Sequence, residues 1–428
     1  MLISSEPAPA LDTAALQRRT LRVLVAAQML GGLGQSGAAA GALLALDMTG
    51  SEALASLPLA LLVVGASASV MPISALSRRA GRRAGLTTAL AIAALGAIGV
   101  VAAGALDSFA LLLAASAVFG AGNAAVMLAR YAAADLSTPA ERGRAIGRVV
   151  FATTFGAVAG PNLLEPSGRA ATALGLPQLT GLYLVSVVAL ALAALLLFAL
   201  LRPDPLRVAG ALDRARAADE AEPAPVVPLR RMLSTPAAVA GLATMVVANF
   251  VMVAVMAMAP VHMHTHGHSL QLVGLVISLH IAGMFAPSPL TGWLTDRVRP
   301  LAVAGAGTVL LIVAGTLAAA AGQHAATFTL GLVLLGVGWN AGLIAGSTLL
   351  ASAVPLAQRP RAEGAGDLGM GFTAAAATAI AGPVVGLAGY ATLAVAGACA
   401  AAALAPLLIA VARRGLPADT APAQRLLT

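Results

Sequence analysis

Lysine is missing altogether, since all 25 basic residues are arginine. Charged residues of either sign make up 10% of the 428, aromatic residues 3%, and Cys399 is the single cysteine. Each shortage excludes something. A soluble globular chain carries about 25% charged residues. Here 59% hydrophobic residues and a mean hydropathy of +0.92 leave more apolar surface than the chain's own interior can hide. Lipid must cover the remainder. One cysteine rules out an intramolecular disulfide framework. A broad drug-binding pocket would be thin with so few aromatic rings. The pI near 11.2 could accompany nucleic-acid binding. The arginines, however, fall in short clusters between apolar runs, which is the pattern of membrane topology, so no nucleic-acid partner is expected. The missing lysine beside abundant alanine points to genome base composition. Nucleotide-binding, catalytic-triad and zinc-hydrolase motifs are also missing, which argues against an enzyme.

What the chain does have is apolar runs. A spanning helix needs about 20 such residues. Twelve runs lie between polar breaks, near 20–46, 53–76, 85–105, 108–131, 145–165, 179–201, 236–260, 270–293, 301–321, 326–350, 368–389 and 391–412. Residues 1–19 are polar and lack the order of a cleavable signal peptide, so the first run is expected to stay as a span. With both termini cytoplasmic, only Arg169 of the 25 arginines lies in an outer loop. That asymmetry predicts a multi-pass protein of the cytoplasmic membrane with its arginine-rich end inside. On this topology His262 to His268 and His324 face outward. The stretch 202–235, with Arg202-Pro203-Asp204-Pro205, Asp219, Glu220, Glu222, Pro223, Pro225 and Pro228, reads as a mobile cytoplasmic linker. The predicted organisation is therefore a cytoplasmic segment 1–19, a six-helix bundle 20–201, the linker 202–235, a second six-helix bundle 236–412 and a cytoplasmic tail 413–428.

The two bundles echo each other. Leu76-Ser-Arg-Arg-Ala-Gly-Arg-Arg83 follows span 2 and Leu294-Thr-Asp-Arg297 follows span 8. Gly120-Ala-Gly-Asn123 in span 4 matches Gly336-Val-Gly-Trp-Asn340 in span 10, and Gly160-Pro161 matches Gly382-Pro383. A parallel repeat with a site at the interface of its halves is a transporter design. On these residues the chain resembles the Major Facilitator Superfamily over nearly its whole length. The resemblance implies an all-α fold of twelve transmembrane helices in two halves. The family's loop signature Gly-x-Leu-Ala-Asp-Arg is matched by Gly292-Trp-Leu-Thr-Asp296-Arg297, whereas Ser74 and Arg78 stand at the glycine and aspartate of the first-half copy. The resemblance implies a gating role for Asp296 and Arg297, the aspartate pairing with a neighbouring helix end and an arginine.

No carboxylate falls at mid-membrane in this reading. Asp135, Glu141, Asp296, Glu363 and Asp367 sit towards the inside, and His280 is the titratable group nearest the middle of a span. Met252 and Met256 share one face of span 7, and His280 and Met284 one face of span 8. Counting from the outer ends, Met252 lies about 12 Å deep and His280 about 15 Å deep. Sulfur and imidazole from neighbouring spans thus predict a ladder Met256, Met252, His280, Met284. Thioether is a soft, neutral ligand that suits Cu(I), whereas zinc more often takes thiolate, several histidines or carboxylate. The outer tract His262-Met-His-Thr-His-Gly-His268 places histidines at alternate positions, on one side of an extended segment, with Met263 between them. It predicts a capture loop of His262, Met263, His264, His266 and His268.

Met-x-x-x-Met followed 28 residues later by His-x-x-x-Met is similar to the CcoA-type copper importers. The resemblance implies copper as transported substrate, with no cofactor, and Met252, Met256, His280 and Met284 as the transport site. It also implies import, with a cytoplasmic copper chaperone as a partner beside the lipid bilayer. The competing reading is a proton-coupled drug or metabolite exporter of the same superfamily, supported by Gly156-Ala-Val-Ala-Gly160-Pro161 in span 5.

Overall fold

The computed structural model describes residues 12–50, 54, 57–219 and 233–414, and among these the regular structure is helical, with no strand. α1 (Thr13–Gly34) starts on Asp12, whose carboxylate accepts the Ala15 N–H at 2.9 Å. That cap extends the first span into the polar stretch that composition alone assigns to the N-terminal segment. The backbone tightens to a 3₁₀ turn at Gln35–Gly37, then α2 (Ala38–Thr49) completes the span and stops at Gly50, φ +64°. The first half continues with α3 (Leu57–Ala80), α4 (Arg82–Ala105), α5 (Phe109–Ala132), α6 (Arg142–Asn162), α7 (Leu164–Ala173) and α8 (Gly181–Leu200).

The second half holds α10 (Pro236–Thr265), α11 (Leu270–Phe285) with α12 (Ser288–Val298), α13 (Pro300–Ala320), α14 (Ala325–Ala353), α15 (Arg359–Ala402) and α16 (Leu404–Arg414). Among the described residues ten stretches are long and apolar enough to cross a bilayer. α6 adds a crossing whose apolarity is diluted by Arg142, Arg144 and Arg148, and Arg359–Arg414 holds two crossings because the chain turns at Gly389, φ +80°. The architecture is therefore an all-α, multi-pass membrane protein of twelve spans in two six-helix halves. Leu95, Ile98, Val188 and Leu195 stay exposed, as lipid-facing positions require.

The repeat seen in the sequence is physical. Gly120 lies on the backbone of Leu62 and Ala66, so span 4 packs on span 2, while Gly122 lies against Ala93 of span 3. In the second half Gly336 lies on the backbone of His280 and Met284, so span 10 packs on span 8, and Gly338 lies on Leu311 and Gly307 of span 9. Small residues let the helix backbones approach closely where lipid gives no hydrophobic drive for association.

The linker differs from its reading as a wholly mobile segment. Pro205–Asp219 forms a helix, α9, pinned by Asp204. The Asp204 carboxylate accepts the Arg83 N–H at 2.8 Å and its own helix's Leu206 and Arg207 N–H groups at 3.1 and 3.2 Å. One side chain thereby caps the new helix and ties it to the first turn of α4. Glu220 to Pro228 and residues 415–428 lie outside the described residues.

Candidate transport path and gate

Contacts between the halves gather at the arginine-rich end. Ser67 and Ser74 of α3 lie against Gly371 and Gly364 of α15, and Gly143 and Gly147 of α6 lie against Gly292 and Ser288 of α12. Ile146 and Val150 pack with Ala134 on Ile344 and Phe285. Two buried ion clusters stitch this seam. Arg82 donates from Nε to Asp135 at 2.8 Å and from Nη2 to Glu363 at 2.6 Å, with both its partners' side chains buried. Arg130 forms a two-pronged pair with Asp367 and also donates to Ser347 Oγ at 3.0 Å and Tyr131 Oη at 2.9 Å. Tyr131 in turn donates to the Met245 sulfur at 3.9 Å, and Arg142 to Ser352 at 2.9 Å.

Asp296 works differently, as a cap on the other half's helix. Its Oδ1 accepts the Gly143 N–H at 2.7 Å, and its Oδ2 accepts the Arg144 N–H at 2.9 Å and the Arg144 Nε at 3.2 Å. The carboxylate therefore sits on the positive N-terminal end of α6. Arg297 takes no part in this contact and lies 5.8 Å from the Trp293 ring centroid. Asp296→Ala is expected to weaken the seam by about 1 kcal/mol, a typical capping loss, and Asp296→Asn to recover only part of it, because its one amide oxygen can accept on one side while its NH2 faces N–H donors on the other. Maleimide labelling of a cysteine placed at Ala134, in a Cys399→Ser background, reads the opening. A rate unchanged in Asp296→Ala would show the cap to be idle.

Where the pseudo-symmetric aspartate is missing, at Arg78, the seam is held with reversed polarity, the base Arg82 on the first half and the acid Glu363 on α15. Sequence reading placed these acids individually at the inner ends and did not pair them. The visible signal was Glu363 and Asp367 four residues apart on one helical face.

Above this floor, Trp339 Nε1 donates to Asn249 Oδ1 at 3.1 Å and Asn249 Nδ2 to the Met370 carbonyl at 2.9 Å. The Phe285 ring meets Trp339 edge-on, with centroids 5.8 Å apart. Gln28 bridges α1 to the Val126 carbonyl and Thr153 Oγ1 at 2.9 and 3.0 Å. An aromatic and amide layer therefore lies next to the gate.

The residues of the predicted ladder lie on α10 and α11. Met252 is buried in the core, and Met256 and Met284 pack against it half-buried. His280 is buried on the α14 side of α11, its Nδ1 sharing a hydrogen bond of 2.7 Å with the Leu332 carbonyl. Its Nε2 is buried without a partner, so no methionine sulfur stands in hydrogen-bonding position to it. The Met284 carbonyl accepts from Asn340 Nδ2 at 2.7 Å. His280 thus turns towards α14, where the helix-packing glycine Gly336 draws the two backbones together.

The histidine tract corrects the extended reading. α10 runs on to Thr265, so His262 and His266 are neighbours on one helical turn, with rings 4.2 Å apart, and are not alternate residues of a strand. Gly267, φ +79°, ends the helix, and the His268 N–H reaches back to the Met263 carbonyl at 3.2 Å. His262 stacks on Tyr390 at 4.4 Å and faces Phe328 at 5.1 Å, while Met263 is buried. The His264 side chain lies outside the described ones. Among the described residues no three histidine, cysteine, aspartate or glutamate side chains gather closely enough to share a metal ion. The reason is helical geometry, which turns about 100° per residue and so does not keep every second position on one side, and which sends His262 into an aromatic stack.

Two pseudo-symmetric six-helix halves, closed against each other at one end by ion pairs and close-packed glycines, define a secondary membrane transporter. The profile of the Major Facilitator Superfamily matches residues 24–297 and 241–426, and the chain belongs to that family. It is 40% identical over 406 residues to the uncharacterized MFS-type transporter YddS of Bacillus subtilis (strain 168), covering 93% of this chain and 92% of that protein. It is 30% identical over 380 residues to the riboflavin transporter RfnT of Brucella anthropi, covering 88% and 91%. In fold it is similar to the proton:xylose symporter XylE, with a TM-score of 0.75 at 16% identity over 93% of this chain and 96% of that one. The copper-importer resemblance drawn from the two methionine motifs gains no support from these comparisons.

Proposed function

We propose that this protein is a proton-coupled secondary transporter of a small organic solute, held here with its cytoplasmic gate shut. The arginine-rich end is cytoplasmic on the positive-inside rule, so the closed seam is the inner gate. One observation carries the coupling: Asp367 is a buried carboxylate inside a span, bound by Arg130 of the opposite half. A proton on Asp367 removes the negative charge that holds Arg130. Protonation therefore loosens the gate, and deprotonation restores it. An organic cargo is favoured by the likeness to a riboflavin transporter and by the Trp339, Phe285 and Asn249 layer, whose rings and amides suit a planar polar solute.

Copper is the second reading, and its own observation favours it: the His280 Nε2, buried and unpartnered, is an available ligand atom on the span that carries Met284 one helical turn further on. On that reading Met252, Met256, His280 and Met284 hold the ion, transport is inward, and a cytoplasmic chaperone receives it.

Proteoliposomes carrying a pH gradient separate the two. They are offered radiolabelled riboflavin and, in parallel, reduced radiocopper. The first reading expects riboflavin flux that follows the gradient and loses its gradient dependence in Asp367→Asn. Copper flux that disappears in His280→Ala, with riboflavin flux at background, would replace it by the second. Riboflavin flux identical with and without the gradient would remove the proton coupling.

A further inference from the structure

The cytoplasmic end of the first half carries a second, unassigned feature. A groove of about 370 Å³ runs beside α1, lined by Arg18, Leu21, Arg22, Val25, Ala26 and Met29, with Arg148 of α6 closing its side. Arg18, Arg22, Val25 and Met29 follow the helical stripe i, i+4, i+7, i+11, so a single face of α1 is charged at one end and apolar at the other. From Arg18 to Met29 the stripe runs about 16 Å along the helix axis. All three guanidinium side chains are exposed, and among the described residues none has an ion-pair partner. Arg18 and Arg22 stand at i and i+4, a like-charged spacing that weakens an isolated helix by a few tenths of a kcal/mol. The neighbouring acids are engaged elsewhere, Asp135 on Arg82 and Asp296 on α6. Three unneutralised cations above an apolar strip need an anion with a tail.

We infer that this groove is a binding site for an anionic phospholipid of the cytoplasmic leaflet. The phosphodiester would lie among Arg18, Arg22 and Arg148, and one acyl chain along Leu21, Val25, Ala26 and Met29. Arginine matches a phosphate bidentately through its planar fork. The assignment of the leaflet rests on the positive-inside orientation adopted above, while the site itself does not depend on the cargo or on proton coupling. A free phosphate would satisfy the arginines but leave the apolar strip uncovered, which is why the lipid is chosen.

Native mass spectrometry of the delipidated, full-length protein tests it, titrating phosphatidylglycerol against phosphatidylcholine of the same chains. Tight phosphatidylglycerol binding is expected for the unaltered protein, weakened about fivefold per arginine removed and about a hundredfold in Arg18→Gln/Arg22→Gln/Arg148→Gln. The lysine triple variant should recover part of the loss. Arg413→Gln/Arg414→Gln, which removes the same kind of charge at the far end of the chain, should bind as the unaltered protein does. Equal phosphatidylglycerol binding by the glutamine triple variant, or equal loss in the Arg413/Arg414 control, would overturn the site. Full competition by inorganic phosphate would overturn the lipid assignment. Riboflavin flux can be absent while this binding is present, so failure here and failure of the transport reading are distinguishable.

Discussion

Replacing Asp367 with alanine while Arg130 stays is expected to weaken the closed seam by about 3–5 kcal/mol, the usual loss when one member of a buried ion pair is removed. Arg130 is 1% exposed, so its charge would be left buried with Ser347, Tyr131 and the Met127 carbonyl as hydrogen-bond partners and Glu363 as a remaining counter-charge acting on it. A shift of that size changes the ratio of closed to open gate by roughly two to four powers of ten. The cysteine reporter at Ala134, now buried, should then label with maleimide at a greatly increased rate. The decisive control is Arg130→Met/Asp367→Ala. Removing both charges leaves no stranded ion, and substituting apolar groups for a buried pair is often neutral or stabilising. The double variant should therefore close again yet lose its gradient dependence. If the single and double variants label alike, the pair is not what holds the gate.

The same pair explains which parts of the molecule could be read from sequence. Span number, the two halves and the repeated glycines were legible because each is a local pattern: twenty apolar residues make a crossing, and a glycine at a helix crossing leaves its mark where it stands. Gly120 and Gly336 both proved to be sites where backbones touch. Pairings are not local. Arg82 and Glu363 are 281 positions apart, and Arg130 and Asp367 are 237 apart. Sequence showed a base or an acid near a helix end in every case, and only the docking of the halves brought them together. The histidine tract failed for a different reason. Alternation suggested an extended loop, but α10 had enough helical momentum to pass Pro260 and continue to Thr265, and Gly267 was the true stop. At His280 the direction of the side chain was not legible, because which face of α11 meets α14 is decided by Gly336 on the partner helix.

Widening the glycine seam should open the same gate without touching a charge. Gly147→Val is expected to shift the molecule towards its inward-open form. A Cβ on Gly147 would run into the Ser288 carbonyl oxygen and crowd the Gly292 backbone, and Gly292 itself has the Gly143 carbonyl against it. These obstacles are main-chain atoms of another helix and cannot rotate away, so α6 and α12 must separate. Overpacking of this kind costs about 1–3 kcal/mol. Separation would also pull Asp296 from the Gly143 and Arg144 N–H groups, adding the loss of that cap. The penalty falls on the closed state alone if α6 and α12 part when the halves rock, so thermal stability in detergent should fall little while labelling at Ala134→Cys rises. A histidine-end reporter such as Leu387→Cys, fully lipid-side or solvent-side at 91% exposure, should be unaffected and serves as the internal standard. A large drop in melting temperature with labelling unchanged at Ala134→Cys would mean that the α6–α12 contact is permanent scaffold and does not open during transport.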